Sequence, residues 1–420
     1  MPIFRLKTNL ADFIRDTPEG KEANAILRAC VHCGFCTATC PTYQLLGDEL
    51  DGPRGRIYLM KELFEGGQVS AKTQLHLDRC LTCRACETTC PSGVRYGRLV
   101  DIGRNVVEQR VGRSFGRRLW RSALKTVIPN PALFNPLLHL GQLARPVLPG
   151  ALARKIPRRG VRTPGPAARH TRRMLVLNGC VQPGIAPSIN PALARILDRI
   201  GISLVAAREA GCCGAVAYHL NAQQEGLEYM RRNVDAWWPY VEQGVEAIVM
   251  TASGCGVTVK EYGELLKHDP RYSAKAEKIS HLTKDASEIL FAEREALEAL
   301  CQRTTQTTNS ESRVRRVAFH SPCTLQHGQQ IRGAVEALLG AAGFQLTAVP
   351  DAHLCCGSAG TYSILQPSLS RRLLENKVSA LESGSPEVIA TANIGCLAHI
   401  QSGTRLPVRH WIELLKSSFS

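Results

Sequence analysis

Short apolar runs separated by helical patterns mark the second half of the chain. Four such runs of three to six residues lie at Met174–Leu177, Ala247–Ala252, Val317–Phe319 and Val388–Ala392. Runs of this length predict buried strands. The segments between them carry apolar residues at helical spacing, for example Leu193, Ile196, Leu197 and Ile200. Strands that alternate with amphipathic helices predict α/β units built on parallel sheets.

The first hundred residues carry one cysteine run twice. The runs are Cys30-x2-Cys33-x2-Cys36-x3-Cys40-Pro41 and Cys80-x2-Cys83-x2-Cys86-x3-Cys90-Pro91. Bacterial ferredoxins bind two [4Fe–4S] clusters with this spacing, and the fourth cysteine of each run ligates the other cluster. The runs therefore predict two [4Fe–4S] clusters, one held by Cys30, Cys33, Cys36 and Cys90, the other by Cys80, Cys83, Cys86 and Cys40.

Zinc and disulfides are the weaker alternatives for these cysteines. A zinc ribbon needs two C-x2-C pairs, whereas each run here has three closely spaced thiols and a Cys-Pro. Disulfides suit short secreted chains, and this chain has 420 residues with 17 cysteines. Helical patterns at residues 25–29 and 57–64 precede and connect the runs. We therefore expect an α-helical ferredoxin-type domain over residues 1–100.

A second set of cysteines occurs in two copies. Each copy has one cysteine, an adjacent pair 32 residues later, and a closing cysteine 42 or 40 residues after the pair. The eight residues are Cys180, Cys212, Cys213, Cys255, Cys323, Cys355, Cys356 and Cys396. The predicted fold class is thus α+β and multidomain, with the helical two-cluster domain followed by two repeated α/β cysteine-rich domains. These span residues 174–301 and 314–420, and a polar linker over residues 302–313 joins them.

Each repeated cysteine lies just past a predicted strand or beside a glycine turn. Because parallel sheets place ligand sites beyond the carboxyl ends of their strands, four thiols in each copy can meet at one site. The alternative is that they are small buried residues, since free cysteine is among the most buried residue types. Repetition of all eight positions favours a shared role, as a further metal, cluster or redox site.

Positive charge is concentrated in residues 101–173. This segment holds 16 Lys and Arg against 2 Asp and Glu, and the whole chain has a net charge of +16. It opens with a helical pattern over residues 106–124 and then carries eight prolines, so we expect a basic connector with a broken path. An acidic partner face, anionic lipid and solvent are its candidate surroundings. Lacking interleaved aromatics and a recognisable binding fold, it does not predict nucleic-acid binding.

Targeting and nucleotide-binding patterns are not found. The start, MPIFRLKTNLADFIRD, has no continuous apolar core of a secretory signal, and no run of 18 apolar residues predicts a membrane span. Thiols available to metal predict a reducing cytoplasm, with peripheral attachment to the cytoplasmic face of the inner membrane left open. No G-x-G-x-x-G run follows a predicted strand, so no flavin or dinucleotide site is predicted.

Two long stretches around the cysteine runs stand out together with the two Cys-Cys-Gly segments. They are residues 30–63, CVHCGFCTATCPTYQLLGDELDGPRGRIYLMKEL, and residues 78–96, DRCLTCRACETTCPSGVRY. With them, the chain resembles the iron–sulfur subunit of bacterial glycolate oxidase over nearly its whole length. The Cys-Cys-Gly segments also occur in lactate-utilisation proteins, in the iron–sulfur subunit of anaerobic glycerol-3-phosphate dehydrogenase and in proteins similar to heterodisulfide reductase subunits, which are the alternatives.

The resemblance implies an electron-transfer subunit without catalytic residues of its own. Flavin-containing partner subunits would oxidise glycolate to glyoxylate, and this chain would pass the electrons to membrane quinone or another acceptor. The fuller family motif closes with C-x2-C, whereas Ala252 and Asn393 stand here where the first of those two cysteines would be. Without that thiolate, the site can still bind a metal if another residue supplies the ligand.

Overall fold

The computed structural model describes residues 6–307 and 315–418. Within the described residues before Arg172 there are helices and no strands. The helices of this part are Asp12–Arg15, Pro18–Ala29, Phe35–Ala38, Pro41–Leu46, Pro53–Phe64, Ala71–Asp78, Ala85–Thr89 and Tyr96–Arg110, with a 3₁₀ turn at Glu49–Asp51. The predicted α-helical form of the cluster-binding region is confirmed, and helices end or begin next to the cysteines.

Left-handed residues bend the backbone at the same two positions of both cysteine runs. In the first run these are His32 and Gly34, with φ of 54° and 85°, and in the second they are Thr82 and Arg84, with φ of 53° and 61°. Non-glycine residues adopt this conformation uncommonly. The two runs therefore share one backbone path, which the short helices Phe35–Ala38 and Ala85–Thr89 continue.

The basic connector contains more helix than its prolines predict. Its helices are Phe115–Val127, Pro131–Ala144 and Gly150–Ala153, with a 3₁₀ turn at Arg145–Val147. Pro131 occupies the first turn of its helix, where the missing N–H costs nothing. The single helix expected over residues 106–124 is wrong, because the chain leaves helical geometry at Val111. No helix in the described residues has the length and apolar character needed to cross a membrane.

Two small parallel sheets follow, and both have the same strand order. The strands of the first are β1 (Arg172–Val176), β2 (Ile202–Val205), β3 (Ile248–Met250) and β4 (Thr283–Asp285), in the order β2-β1-β3-β4. Those of the second are β5 (Arg316–His320), β6 (Gln345–Leu346), β7 (Val388–Thr391) and β8 (Val408–His410), in the order β6-β5-β7-β8. The predicted parallel α/β units are confirmed.

Helices cover both sheets. Those around the first sheet are Gln182–Ile185, Ile189–Arg199, Ala215–His219, Gln223–Glu242, Ser253–Lys260, Tyr262–Leu265, Ser273–Leu282, Ala286–Ala292 and Arg294–Thr307. Those around the second are Ala334–Ala341, Tyr362–Leu365, Pro367–Glu382, Ile394–Gly403 and Trp411–Ser417, with a π-helical turn at Thr324–Gly328.

The linker predicted over residues 302–313 begins within a helix. The helix Arg294–Thr307 continues into it, because the good helix formers at its start carry the helix into the polar stretch. The remainder of the predicted linker, up to residue 313, lies outside the described residues.

One hydrophobic core joins the two sheet-bearing halves. Leu193 and Leu290 from the first half pack in the same buried cluster as Leu338 and Trp411 from the second. Near the cysteine-bearing loops, the Ser253 N–H donates to the Ala392 carbonyl at 3.1 Å. The carboxyl ends of β3 and β7 are therefore held next to each other, which brings the two cysteine groups to one region.

Candidate iron–sulfur and metal centres

The eight cysteines of the two runs form two groups of four. One cavity is lined by Cys30, Cys33, Cys36 and Cys90, and a neighbouring one by Cys40, Cys80, Cys83 and Cys86. Electrostatic interactions follow the same grouping, since Cys30 interacts with Cys33 and Cys90. Cys86 lines both cavities. Two tetrads of thiols thus lie side by side, each with three sulfurs from one run and one from the other.

Burial determines the protonation of these thiols in the absence of a cation. It raises the pKa of Cys36 to about 11 and raises the pKa of Cys83 and of Cys86 well above the ordinary value. These three sulfurs are therefore neutral at pH 7 unless a positive charge compensates the cost of ionising them. Iron supplies that charge, because a coordinating thiol is deprotonated. The donor set of each tetrad fits a [4Fe–4S] cluster.

A buried ion network supports the second tetrad. The Asp51 carboxylate is fully buried and accepts from Arg56 at 3.4 Å and from Arg79, the residue before Cys80, at 2.7 Å. Arg56 also donates to the Thr42 hydroxyl at 3.1 Å, and that hydroxyl lies 3.3 Å from the Cys40 sulfur. The network therefore links the two chain segments that contribute Cys40 and Cys80. No motif in the sequence singles out Asp51.

The four repeat cysteines of the first half form a connected group. Cys212 interacts with Cys180 and Cys213, and Cys213 interacts with Cys255, and all four line one cavity. Gly214 follows the pair with φ of 89°, and a Cβ there would lie 2.6 Å from the Gly226 carbonyl oxygen. Only glycine fits this turn, which explains why it follows the cysteine pair.

The second half repeats this arrangement. The Cys323 and Cys355 sulfurs are 3.9 Å apart, and Cys356 interacts with Cys355 and Cys396. A ring nitrogen of His320 and the sulfurs of Cys356 and Cys396 lie within 4.8 Å of one another, and all three residues are buried. The sequence motifs do not include His320. Its position three residues before Cys323 is the signal that could have identified it.

A central cavity of about 590 Å³ connects the second tetrad to both repeat groups. All eight repeat cysteines line it, and so do Cys80 and Cys83. Burial and, after it, the electrostatic interaction with Cys323 raise the pKa of Cys83. Both cysteines pack against the same buried cluster, at the boundary between the domains. The bidentate pair of Arg84 with Glu261 fixes this boundary, and its longer contact is 2.9 Å. The structure thus brings ten of the sixteen predicted site cysteines to one cavity.

Comparisons with known proteins agree with this organisation. Residues 26–94 match the 4Fe-4S dicluster domain family, and residues 174–260 and 317–401 each match the cysteine-rich CCG domain family. The chain is similar to the lactate utilization protein A of Bacillus subtilis (strain 168), with 24% identity over 244 residues, 57% of this chain and 96% of that protein. The chain therefore combines a two-cluster [4Fe–4S] domain with two CCG domains.

Two relatives align over most of the chain. The probable glycolate oxidase iron-sulfur subunit of Bacillus subtilis (strain 168) is 29% identical over 406 residues, 89% of this chain and 88% of that protein. The glycolate oxidase iron-sulfur subunit of Escherichia coli (strain K12) is 56% identical over 414 residues, 98% of this chain and 99% of that protein. The chain therefore belongs to the family of glycolate oxidase iron–sulfur subunits.

Proposed function

We propose that this chain is the electron-transfer subunit of a glycolate oxidase, or glycolate dehydrogenase, complex. One observation carries the proposal: two adjacent thiol tetrads fit [4Fe–4S] clusters, and the second opens into the cavity lined by all eight repeat cysteines. Sites for one-electron carriers thus form a continuous series through the molecule. The name of the Escherichia coli relative supports glycolate as the source of the electrons.

The two cavities that the cysteines line indicate which residues would hold each cluster. We assign Cys30, Cys33, Cys36 and Cys90 to cluster 1, and Cys80, Cys83, Cys86 and Cys40 to cluster 2. When bound, the clusters would supply one-electron chemistry. The repeat cysteines would form a further metal or redox site in each CCG domain.

The chain controls the charge at these sulfurs through hydrogen bonds. The Thr82 N–H donates to the Cys80 sulfur at 3.4 Å, and the buried Tyr96 hydroxyl donates to it at 3.7 Å. Donors to sulfur stabilise added negative charge and so favour the reduced state. The buried Arg56 guanidinium, which interacts electrostatically with Cys80 and Cys40, acts in the same direction.

Oxidation of glycolate would take place on flavin-containing partner subunits. No G-x-G-x-x-G run follows a strand in this chain, which supports a flavin site elsewhere. We expect the purified chain, prepared without partners or flavin, to bind about eight irons in its two tetrads and to lack glycolate oxidation. Anaerobic preparation with iron and sulfide analysis and EPR tests the first expectation. Glycolate turnover by the flavin-free chain alone, or a preparation that holds zinc and shows no EPR signal after dithionite, would contradict the proposal.

The connector is the proposed contact with the membrane that holds the quinone. Its helix Pro131–Ala144 exposes a row of leucines at helical spacing, Leu133, Leu137, Leu140 and Leu143, while the helix before it exposes Phe115, Leu119 and Trp120. Residues 126–144 contain no Lys, Arg, Asp or Glu, although the connector as a whole holds 16 basic residues. Exposed apolar side chains surrounded by basic ones suit the surface of an anionic bilayer. We therefore propose a peripheral position at the cytoplasmic face of the inner membrane.

Vesicle cosedimentation of the chain without partners tests this contact. Binding to vesicles with anionic lipid should fall as salt rises, because each Lys or Arg near the surface contributes about 1 kcal/mol. Leu137→Glu should weaken binding several-fold. Val161→Glu, which changes an exposed residue of the connector outside the leucine row, is the control. If vesicles do not bind the chain while the flavin subunits do, the apolar rows are a subunit interface.

A further inference from the structure

His320 ends strand β5, and its imidazole lies beside the sulfurs of Cys356 and Cys396 in the second CCG domain. We propose that this domain binds one divalent transition metal ion, Zn²⁺ or Fe²⁺, through His320, Cys356 and Cys396, at a mixed imidazole–thiolate site that the first CCG domain lacks. The inference deepens the proposed metal binding by the repeat cysteines. It does not depend on the two [4Fe–4S] clusters.

The three donors are already assembled. One donor atom from each residue lies within 4.8 Å of the other two, a spacing compatible with tetrahedral ligands at 2.0 to 2.3 Å from a metal, as in zinc sites. The exposed fractions of His320, Cys356 and Cys396 are 2%, 1% and 4%. The site is therefore shielded from water, and its ligands come from three separate segments of the second half: β5, the Cys-Cys-Gly turn and the helix Ile394–Gly403.

A neighbouring hydroxyl orients the imidazole. His320 is the last residue of β5 and pairs in register with Thr391 of β7. Its Nδ1 lies 3.0 Å from the Thr391 hydroxyl oxygen, which is fully buried. When Nδ1–H donates to that oxygen, Nε2 keeps its lone pair for a metal. Metal-binding histidines characteristically use their second nitrogen in this way.

Asn393, which stands at the position of the absent thiolate, makes hydrogen bonds instead of offering a ligand. The side-chain nitrogen of Asn393 donates to the Cys396 sulfur at 3.4 Å, and its oxygen accepts from the Gly254 N–H at 3.3 Å. Asn393 therefore supports Cys396 and joins the two CCG domains instead of offering a donor to a metal. His320 supplies the missing donor from the end of the neighbouring strand.

The two CCG domains differ at the positions that matter for this site. The residue three places before the first cysteine is His320 in the second domain and Leu177 in the first. Twenty residues after the Cys-Cys-Gly glycine, the second domain has the buried Lys377 and the first has Val234. The Cys356 and Cys396 thiolates neutralise a divalent ion, and Lys377 interacts electrostatically with Cys356 and with the neighbouring Cys355. The charges of a buried site are thereby balanced.

Metal analysis of the full chain tests the proposal. His320→Leu copies the residue of the first domain and should remove about one zinc or iron per chain, while the EPR signals of the two [4Fe–4S] clusters persist. His320→Cys should retain the metal, because a thiolate replaces the imidazole. His410→Leu is the matched control, since His410 is equally buried and pairs with Thr391 from the other side, and it should retain the metal.

Spectroscopy of the unsubstituted chain makes the test independent of variant folding. X-ray absorption at the zinc edge of the zinc-loaded chain should detect a nitrogen ligand besides sulfur. Full metal content in His320→Leu, or all-sulfur coordination in the unsubstituted chain, overturns the proposal. Loss of the [4Fe–4S] signals from every preparation would instead count against the proposed electron-transfer function.

Discussion

Replacing Asp51 by Asn should destabilise the cluster-binding region far more than an equivalent change two residues away. Asp51 is fully buried and faces Arg56, whose side chain is 1% exposed. Removing one partner of a buried ion pair leaves the other charge uncompensated and costs about 3–5 kcal/mol. Glu49 lies in the same 3₁₀ turn and pairs with Arg54 at 2.6 Å, but these side chains are 40% and 38% exposed. Glu49→Gln should therefore cost about 0.2–1 kcal/mol.

Native-state hydrogen exchange provides the assay, because it measures local opening without reversible denaturation of a cluster-loaded protein. The helix Ala71–Asp78 is the reporter, since His76 within it also contacts the Asp51 carboxylate at 3.1 Å. We expect its amide protection to fall by about 100-fold or more in Asp51→Asn and by less than about 5-fold in Glu49→Gln, at about 1.4 kcal/mol per tenfold change. The EPR signal of cluster 2 should broaden only in Asp51→Asn.

Equal protection in the two variants would refute this reasoning. It would mean that the network around Asp51 contributes no more than an exposed pair, and that Cys40 and Cys80 are held together by other contacts. A further variant, Asp51→Asn with Arg56→Met, separates the two causes. If the uncompensated arginine is the source of the cost, this double variant should recover part of the lost protection.

Three further predictions follow from the described contacts. Cys86→Ser and Cys90→Ser, four residues apart, should abolish different [4Fe–4S] EPR signals; loss of the same signal from both would contradict the exchanged fourth ligand. Glu261→Gln should increase hydrogen exchange in the loop around Arg84 at least several-fold, because it removes half of the pair that holds this loop on the first CCG domain; unchanged exchange would contradict it. Burial lowers the pKa of His410 to about 4, so protons bind more tightly to the unfolded chain. The contribution of His410 to stability should be constant above about pH 7.5 and should fall by about 2 kcal/mol by pH 5; thermal unfolding of His410→Asn should lack this part of the pH dependence.

Local sequence patterns were sufficient to predict the secondary-structure elements and the type of ligand that the cysteines bind. The spacing of each cysteine run determines its ligand geometry because the ligands are only three or four residues apart, and the left-handed residues between them lie inside the same run. The parallel sheets were predictable because their strands are short apolar runs between amphipathic helices. The helix Arg294–Thr307 extends six residues into the predicted linker, which starts at residue 302, since polarity alone does not end a helix.

Contacts between distant segments were decided by the tertiary structure alone. Cys83 packs against the same buried cluster as Cys323, 240 residues later in the sequence, and the cavity they share exists only after three domains pack together. His320 becomes a candidate ligand because the register of β5 and β7 sets it beside Thr391 and the cysteines. Spacing specifies what a short segment can bind, whereas long-range packing specifies which segments meet.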